Sequence, residues 1–278
     1  MDRRAAVSHF RATRPAGIER QTMFQPYRRP TVAVVGAGIE GCTAAAECSF
    51  SGFDTTLFDK KDGVGGHLRE PGAGEFSRRT HFHTPYLKRT KTDGSAQSLV
   101  RHLEAALDKG GAQVRPNTEV TGAAFNEGEG QWELTLSDGS VEAFDVLIRA
   151  TGEASPWVEV PGRKNIAADD LYLHLGVEVV GLPNALFVDG PYPIESKPVD
   201  ESFAVAEARG DYARRYVRQL EIRGPGAMTV KRDKWLVQPG TTHNTRAALY
   251  EFVPDAHNFA RASNYEQADR KANRRNAG

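Results

Sequence analysis

The stretch TVAVVGAGIEGCTAAAECSFSGFDTTLFDK, residues 31–60, decides how this chain begins to fold. Its apolar run from Val32 to Val35 predicts a buried parallel strand, and a helix rich in alanine follows the next turn. Three glycines at G-x-G-x-x-G spacing connect strand and helix: Gly36, Gly38 and Gly41. The next strand ends in Asp59, about 20 residues further on, as in a Rossmann fingerprint. The stretch therefore predicts a dinucleotide-binding βαβ unit.

Each glycine has a physical task in such a unit. Gly36 permits the tight turn, Gly38 lets the backbone approach a pyrophosphate, and Gly41 lets the helix lie close to the strand. The free N–H groups and positive dipole end of the helix then face the phosphates. Asp59 lies where a carboxylate binds ribose hydroxyls, and its charge favours an unphosphorylated ribose, as in FAD or NAD, over that of NADP.

The composition is that of a globular protein without a net charge. The 278 residues are 39% hydrophobic and carry 36 Lys and Arg against 36 Asp and Glu, which allows one large domain or two smaller ones. A net charge of zero gives no general attraction to nucleic acid. The sequence also lacks a run of about 18 apolar residues, the length that a membrane-spanning helix needs. We expect a cytoplasmic protein that acts on a small molecule, without nucleic acid or membrane as a partner.

The hydrophobic pattern after the βαβ unit predicts further elements of an α/β domain. Residues 95–109 place leucines on one helical face, with Ser95 as the N-cap. Short alternating strands between residues 119 and 146 predict an antiparallel meander. Two apolar strands end in ATG at residue 152 and in VDG at residue 190, and the last clear helix covers about residues 199–220.

Four motifs in succession carry a resemblance to a known family. They are VVGAGIEGC with TLFDK, then GVGGHLREPGAG, then VLIRATG, then GLPNALFVDGP, and together they cover about residues 31–191. In this order they resemble the FAD-binding half of the Baeyer–Villiger and flavin-containing monooxygenases. The resemblance implies FAD as the cofactor. It also implies an α/β fold, a Rossmann-like FAD-binding domain in which a parallel sheet carries an antiparallel β-meander.

The resemblance further implies which residues bind the cofactor. The three glycines of the first motif would hold the pyrophosphate, Asp59 the adenosine ribose, and Val120 the adenine through its backbone. Residues 65–66 would run past the pyrophosphate and flavin, residues 151–152 end the ATG strand, and residues 189–190 would lie beside the isoalloxazine ring. The full predicted set is Gly36, Gly38, Gly41, Asp59, Gly65, Gly66, Val120, Thr151, Gly152, Asp189 and Gly190.

The chain departs from that family where the family inserts its NADPH-binding domain. About thirty residues separate Gly152 from Leu182, and a single βαβ unit already needs about 30 or more. The sequence contains no second G-x-G-x-x-G motif. We therefore predict no second nucleotide domain and no site for the electron donor in this chain.

The predicted organisation has three parts. Residues 1–30 carry seven arginines against two acidic residues and form a basic N-terminal arm, although an organelle transit peptide would share this composition. Residues 31–220 form the FAD-binding domain. Residues 221–278 form a C-terminal extension that is partly irregular or disordered.

Two histidines and a tyrosine are the candidate catalytic residues. His67 and His83 lie on the long glycine-rich loop after Asp59, and histidine can act as a general base near neutral pH. Tyr192 follows the VDGP turn, where the resemblance places it near the flavin ring. His81 and His83 lack the further ligands of a tetrahedral site, so no bound metal is expected.

Two functions fit these features. In the first, the chain is an FAD-dependent oxidoreductase of the oxidase or monooxygenase type, acting on a small organic molecule, with a flavin reduced by the substrate or by a separate reductase. In the second, it is a non-redox flavin-binding protein, cyclase-like or a scaffold, descended from a monooxygenase. Fold alone does not choose between them.

Overall fold

The computed structural model describes residues 28–73, 93–152, 158–159, 173–174, 177–179, 182–189, 199–230 and 250–253. The helices are α1 Ile39–Phe50, α2 Ala96–Gly110 and α3 Val199–Arg223, with a 3-10 turn at Gly66–Arg69. The strands are β1 Thr31–Val35, β2 Asp54–Phe58, β3 Gln113–Arg115, β4 Val120–Asn126, β5 Gln131–Leu136, β6 Val141–Phe144, β7 Val146–Arg149, β8 Val158–Glu159, β9 Leu173–His174, β10 Glu178–Val179, β11 Ala185–Phe187, β12 Ala227–Val230 and β13 Tyr250–Val253.

A sheet with the strand order β3-β2-β1-β7-β11-β10-β9 forms the centre of the described structure. The five strands from β3 to β11 run parallel, whereas β10 and β9 are antiparallel. Alternate residues of β1 face opposite sides, as the period of a strand requires. Val32 and Val34 pack against the helices, while Ala33 and Val35 pack against a second sheet. The predicted Rossmann-like α/β fold is confirmed.

The second sheet contains the predicted antiparallel β-meander. Strands β4, β5 and β6 pair in sequence order, and the short β8 runs parallel to β4. One face of the meander is apolar and buried against the central sheet through Phe125, Trp132 and Leu134. The other face is exposed, which is the pattern of an antiparallel sheet with one face on a core.

Helix α1 is buried between the sheet, α2 and α3. Its alanine-rich sequence lets both helices approach, and a Cβ at Gly210 of α3 would stand 3.1 Å from the methyl group of Thr43. Helix α2 begins as predicted, because the Ser95 hydroxyl accepts a hydrogen bond from the N–H of Ser98 at 3.1 Å. In the described part of the chain, no helix combines the length and apolarity of a membrane span.

Asn184, in the GLPN motif, joins three parts of the fold. It is fully buried with a positive φ of 51°. Its side-chain amide donates to the carbonyl oxygen of Gly226 at 2.8 Å, and its side-chain oxygen accepts from the N–H of Met228 at 2.8 Å. The adjacent Pro183 carbonyl accepts from the indole N–H of Trp132 at 2.9 Å. The packed core thus continues past residue 220 into β12.

Two substitutions at Asn184 separate its hydrogen bonds from its backbone conformation. We expect Asn184→Gly to lower the free energy of unfolding by about 2 kcal/mol, because buried backbone groups lose their partners. Asn184→Ala should lower it by about 1 kcal/mol more, because a Cβ disfavours positive φ. Urea denaturation measures both values. Equal stability of the two variants would contradict the conformational part of this explanation.

Asp145, between β6 and β7, gathers donors from several segments. Its carboxylate accepts two hydrogen bonds from Arg28, at 2.7 and 2.8 Å, and others from Thr31 and Gln131. Burial alone would raise the pKa of Asp145, but the hydrogen bonds from Arg28, the Thr31 N–H and Gln131 outweigh it, so the pKa is lowered. Asp145 therefore fastens the segment before β1 to the junction of the two sheets.

The stability that Asp145 provides should depend on pH. A carboxylate with a lowered folded-state pKa stabilises the fold above its unfolded value of about 3.9, and this contribution is lost as the pH falls through the folded-state pKa. We expect Asp145→Asn to lower the free energy of unfolding by about 2 kcal/mol at neutral pH. Denaturation of both proteins should show this difference shrinking below about pH 4. A difference that stays constant into strong acid would contradict the assignment.

Candidate functional site

The carboxyl ends of β1, β2, β7 and β11 meet at one edge of the central sheet, where ligands bind in open α/β folds. The turn after β1 is held tightly there. The N–H of Gly36 donates to the carbonyl oxygen of Phe58 at 2.8 Å. A Cβ at Gly36 would stand 2.2 Å from the carbonyl oxygen of Ala150, and its φ is +102°. Only glycine fits this position.

The second steric constraint is at Gly41, in the first turn of α1. A Cβ there would stand 1.8 Å from the carbonyl oxygen of Gly36 and 3.1 Å from the Cβ of Ala150. Helix α1 therefore lies directly on the β1 turn and against the end of β7. This contact aims the N-terminus of α1 at the sheet edge.

Gly38 differs from these two glycines because no contact among the described residues requires a glycine there. Its φ of −71° and ψ of −170° are open to any residue. Of the atoms that the structure describes, a Cβ there would come within 4 Å of the Glu40 carboxylate alone, at 3.8 Å. Gly38 is the N-cap residue of α1 and has no side chain to cap the helix. Within the described structure, the first-turn N–H groups, which lack intrahelical partners, therefore have no side-chain cap from Gly38.

The second glycine motif lies against the first. The N–H of Gly65 donates to the carbonyl oxygen of Ala37 at 2.7 Å. A Cβ at Gly66 would stand 3.1 Å from the Cα of Gly38. Both Gly65 and Gly66 have positive φ, +110° and +51°. The predicted glycine pair and the G-x-G turn thus form one continuous backbone surface, the cradle of residues 36–38 and 65–66.

Asp59 lies at one end of this cradle. One carboxylate oxygen accepts from the N–H of Ala37 at 2.5 Å, and the other accepts from the N–H of Lys61 at 2.7 Å. Each oxygen has a second lone pair, so the half-buried carboxylate can still accept from a ligand. The Asp59 carbonyl accepts from the N–H of Thr118 at 2.8 Å, which brings the start of β4 at Val120 towards this end.

Asp189 lies at the end of β11 and meets the ATG strand end. One of its carboxylate oxygens, Oδ2, accepts from the N–H of Gly152 at 2.7 Å. The other, Oδ1, is buried and has no hydrogen-bond partner in the described structure. Burial raises the pKa of Asp189, against the opposing charge of Arg149 and the Gly152 hydrogen bond. The structure thus brings the predicted residues Gly152 and Asp189 together, with Thr151 beside them.

Of the three candidate catalytic residues, only His67 lies among the described residues. His67 lies on the 3-10 turn beside the cradle and its side chain is exposed. His83, Tyr192 and the cofactor-binding candidate Gly190 lie outside the described residues, as does His81. Among the residues that the structure describes, no group of three or more histidine, cysteine or carboxylate side chains could hold a metal ion.

The two cysteines of α1 are packing residues. Cys42 and Cys48 are both fully buried and free of disulfides. Burial raises the pKa of each thiol, so neither is a reactive thiolate near neutral pH. The thiol of Cys42 donates to the carbonyl oxygen of Ala37 at 3.3 Å and so packs α1 against the turn after β1.

Three residues of the site were missed by the sequence analysis. Ala37 donates to Asp59 and accepts from Gly65 through its backbone, which no side-chain motif reveals. Glu40 points its carboxylate towards Gly38, and Arg149 is a buried cation within the VLIRATG strand. The single arginine in this otherwise apolar strand could have indicated a buried charged pair, because arginines are almost never fully buried unless they are paired.

A comparison with protein families and curated proteins supports the dinucleotide-binding interpretation. A family model described as an NAD(P)-binding Rossmann-like domain matches residues 34–103. The indole-3-pyruvate monooxygenase YUCCA1 of Oryza sativa subsp. japonica is 28% identical over 166 residues, 55% of this chain and 39% of that protein. The small chain of glutamate synthase [NADPH] of Mycobacterium tuberculosis is 30% identical over 140 residues, 48% of this chain and 22% of that protein.

Solved structures show a partial likeness of the same kind. A closed crystal structure of cyclohexanone monooxygenase is 27% identical, with a TM-score of 0.38 and coverage of 45% of this chain and 26% of that one. A complex of OTEMO with FAD and NADP is 25% identical, with a TM-score of 0.38, and covers 50% and 29%. The chain spans about two fifths of the length of the plant monooxygenase it matches. The predicted resemblance to the FAD-binding half of flavin monooxygenases is confirmed over about half of this chain.

Gly38 allows a test of the cradle that leaves the fold intact. We expect Gly38→Ala to keep the thermal stability of the apoprotein, because a Cβ fits there. It should weaken flavin binding roughly tenfold or more, since an extra methyl group in a close contact costs about 1–3 kcal/mol. Flavin titration by calorimetry gives the dissociation constant, and differential scanning calorimetry gives the stability.

Two further variants serve as controls. Gly122→Ala, on the meander with open space around its Cβ position, should change neither quantity. Gly41→Ala should lower the stability of the apoprotein itself, because its Cβ would overlap the Gly36 carbonyl oxygen. Wild-type flavin affinity in a well-folded Gly38→Ala protein would show that the cradle does not hold the pyrophosphate.

Proposed function

We propose that the chain binds FAD noncovalently and is an FAD-dependent oxidoreductase of the oxidase or monooxygenase type. The observation that carries the proposal is the open backbone of Gly38 at the N-terminus of α1, continued by Gly66. Free N–H groups and a positive dipole end favour an anionic pyrophosphate there. Because no contact among the described residues requires glycine at Gly38, a ligand that lies against it is our explanation for the glycine.

The described residues fit FAD at three points along the sheet edge. Asp59, at the end of β2, keeps lone pairs for the hydroxyls of an adenosine ribose. In the middle, the first turn of α1 beside Gly38 and Gly66 offers backbone N–H groups to a pyrophosphate. Asp189, at the end of β11, has a buried oxygen without a partner, which a hydroxyl of the ribityl chain would satisfy. Val120 is proposed for the adenine end, since Thr118, two residues before it, donates to the Asp59 carbonyl oxygen.

FAD is favoured over a nicotinamide nucleotide by the order of the motifs. The family model names NAD(P), and the first βαβ unit alone would suit either dinucleotide. The acidic Asp59 disfavours the 2′-phosphate of NADP. The second glycine motif and the VDG strand end follow in the order of the flavin monooxygenases, and a plant monooxygenase aligns with more than half of the chain.

When bound, FAD supplies hydride or electron transfer and reactivity towards oxygen, and the protein contributes binding, orientation and acid–base groups. In this chain the backbone of residues 36–38 and 65–66 would hold the pyrophosphate, and Asp59 and Asp189 would hold the ribose and the ribityl chain. His67 is proposed as an acid–base group, since its exposed imidazole lies next to Gly66. His83 and Tyr192 are proposed for the same role from the sequence alone.

The electron source is proposed to lie outside this chain, in the substrate or in a separate flavin reductase, with a small organic molecule as substrate in the cytoplasm. The proposal rests on the single G-x-G-x-x-G motif of the sequence. A non-redox flavin-binding role, as in a cyclase-like protein or scaffold, is the alternative. The two functions differ in whether the bound flavin turns over.

Anaerobic reduction of the FAD-loaded protein tests this proposal. We expect the purified protein to hold about one FAD per chain, and NADPH alone to reduce it slowly, at a rate that rises linearly with NADPH concentration. Stopped-flow absorbance in the visible flavin bands measures the rate. Addition of a flavin reductase, with free FAD as the control for its activity, should accelerate reduction.

The possible outcomes separate the hypotheses. Rapid reduction that saturates at micromolar NADPH, as for a dedicated site, would show a nucleotide site in this chain. A bound flavin that neither reductase nor substrate turns over would support the non-redox role. A protein that takes up NAD but no FAD would refute the cofactor assignment.

A further inference from the structure

Arg149 is a charged residue at the centre of the sheet. It ends β7, where it lies in register with Val35 of β1 and Phe187 of β11. Its side chain is only 1% exposed. A buried guanidinium has a large desolvation cost unless other groups compensate its charge. An apolar residue would satisfy the packing of this strand, so the charge calls for a functional explanation.

The contacts of Arg149 direct its charge towards the cofactor edge. Its guanidinium stacks over the ring of Phe187, 4.3 Å from the ring centroid. One of its terminal nitrogens lies 3.6 Å from Oδ2 of Asp189. Phe187 thus packs against the guanidinium on one side, and Asp189, two residues after Phe187, accepts its charge on another.

Asp189 has one oxygen engaged by the fold and one available. Oδ2 faces Arg149 and accepts from the N–H of Gly152, whereas the buried Oδ1 has no hydrogen-bond partner in the described structure. The other charged groups around it are Glu40 of α1, whose charge opposes ionisation of Asp189, and Arg209 of α3, which donates to the Val188 carbonyl at 2.6 Å. Among the described residues, Arg149 is the cation that pairs with this carboxylate.

We propose that Arg149 is a positioning residue that keeps Asp189 charged and correctly oriented, so that Oδ1 accepts a hydrogen bond from a ribityl hydroxyl of the bound flavin. This role rests on the proposed function. A hydroxyl donates more strongly to a carboxylate than to a neutral acid, because charge-assisted hydrogen bonds are about twice as strong as neutral ones. Burial works against that charge and Arg149 works for it, which agrees with the opposing effects on the pKa of Asp189.

The pH dependence of FAD affinity tests this role. Calorimetric titration of the apoprotein with FAD should show affinity that falls as the pH drops and Asp189 takes up a proton. Arg149→Gln should move this fall to higher pH by about one unit or more, the shift that a nearby opposite charge produces. Arg149→Lys, which keeps the charge, should restore a profile close to that of the wild type.

Glu40→Gln provides a shift in the opposite direction. It removes a negative charge near Asp189, so the fall in FAD affinity should move to lower pH. Asp189→Asn should bind FAD more weakly than the wild type and without this pH dependence. A role of Arg149 in packing alone would lower stability in Arg149→Gln but would leave the pH profile of binding unchanged.

A double variant covers the case in which Arg149→Gln does not fold. Arg149→Gln with Asp189→Asn removes both buried charges, and its FAD affinity should be lower than that of the wild type and independent of pH. A wild-type profile in the double variant or in Arg149→Gln would overturn the role of Arg149. Absence of FAD binding by the wild type at every pH would instead overturn the proposed function, so the two failures are distinguishable.

Discussion

The close approach of helix α1 to the turn after β1 is the contact on which the rest of the structure depends. A Cβ at Gly41 would stand 1.8 Å from the Gly36 carbonyl oxygen, and one at Gly36 would stand 2.2 Å from the Ala150 carbonyl oxygen. Two positions without side chains therefore bring β1, α1 and β7 together. Because α1 is held there, its N-terminus points at the sheet edge, and the Gly65–Gly66 segment can close against it. Without this contact the cradle would not form.

The site that results is built largely of backbone, with acidic groups at its ends. Asp59 and Asp189 offer oxygen acceptors at the two ends, and the N-terminus of α1 between them offers backbone donors. This distribution suits a ligand with hydroxyls at both ends and a pyrophosphate in the middle. Burial and the charge of Glu40 both oppose ionisation of Asp189, and the buried cation Arg149 favours it more strongly than an arginine at the surface could in water.

The GLPN motif shows that a family-like motif can serve folding instead of chemistry. Asn184 is buried away from the cradle and bonds with Gly226 and Met228, and Pro183 accepts from Trp132. These bonds fasten the meander and β12 to the central sheet close to the start of β11. The motif therefore stabilises the start of β11, at the end of the strand opposite the site. An asparagine suits this position because the backbone is left-handed, a conformation that few other residues tolerate.

The sequence by itself determined the elements whose signals are local. Strand periodicity, glycine spacing, the Ser95 cap and the meander all lie within short windows, so the Rossmann-like fold and the cradle glycines could be predicted. Only the tertiary structure decided which distant residues meet. Arg149 and Asp189 are forty residues apart in the sequence and Asn184 and Met228 are forty-four apart. Such pairs leave no periodic signal in the sequence: adjacent strands bring the first pair together only after the central sheet has formed, and the second pair joins that sheet to the separate β12–β13 pair.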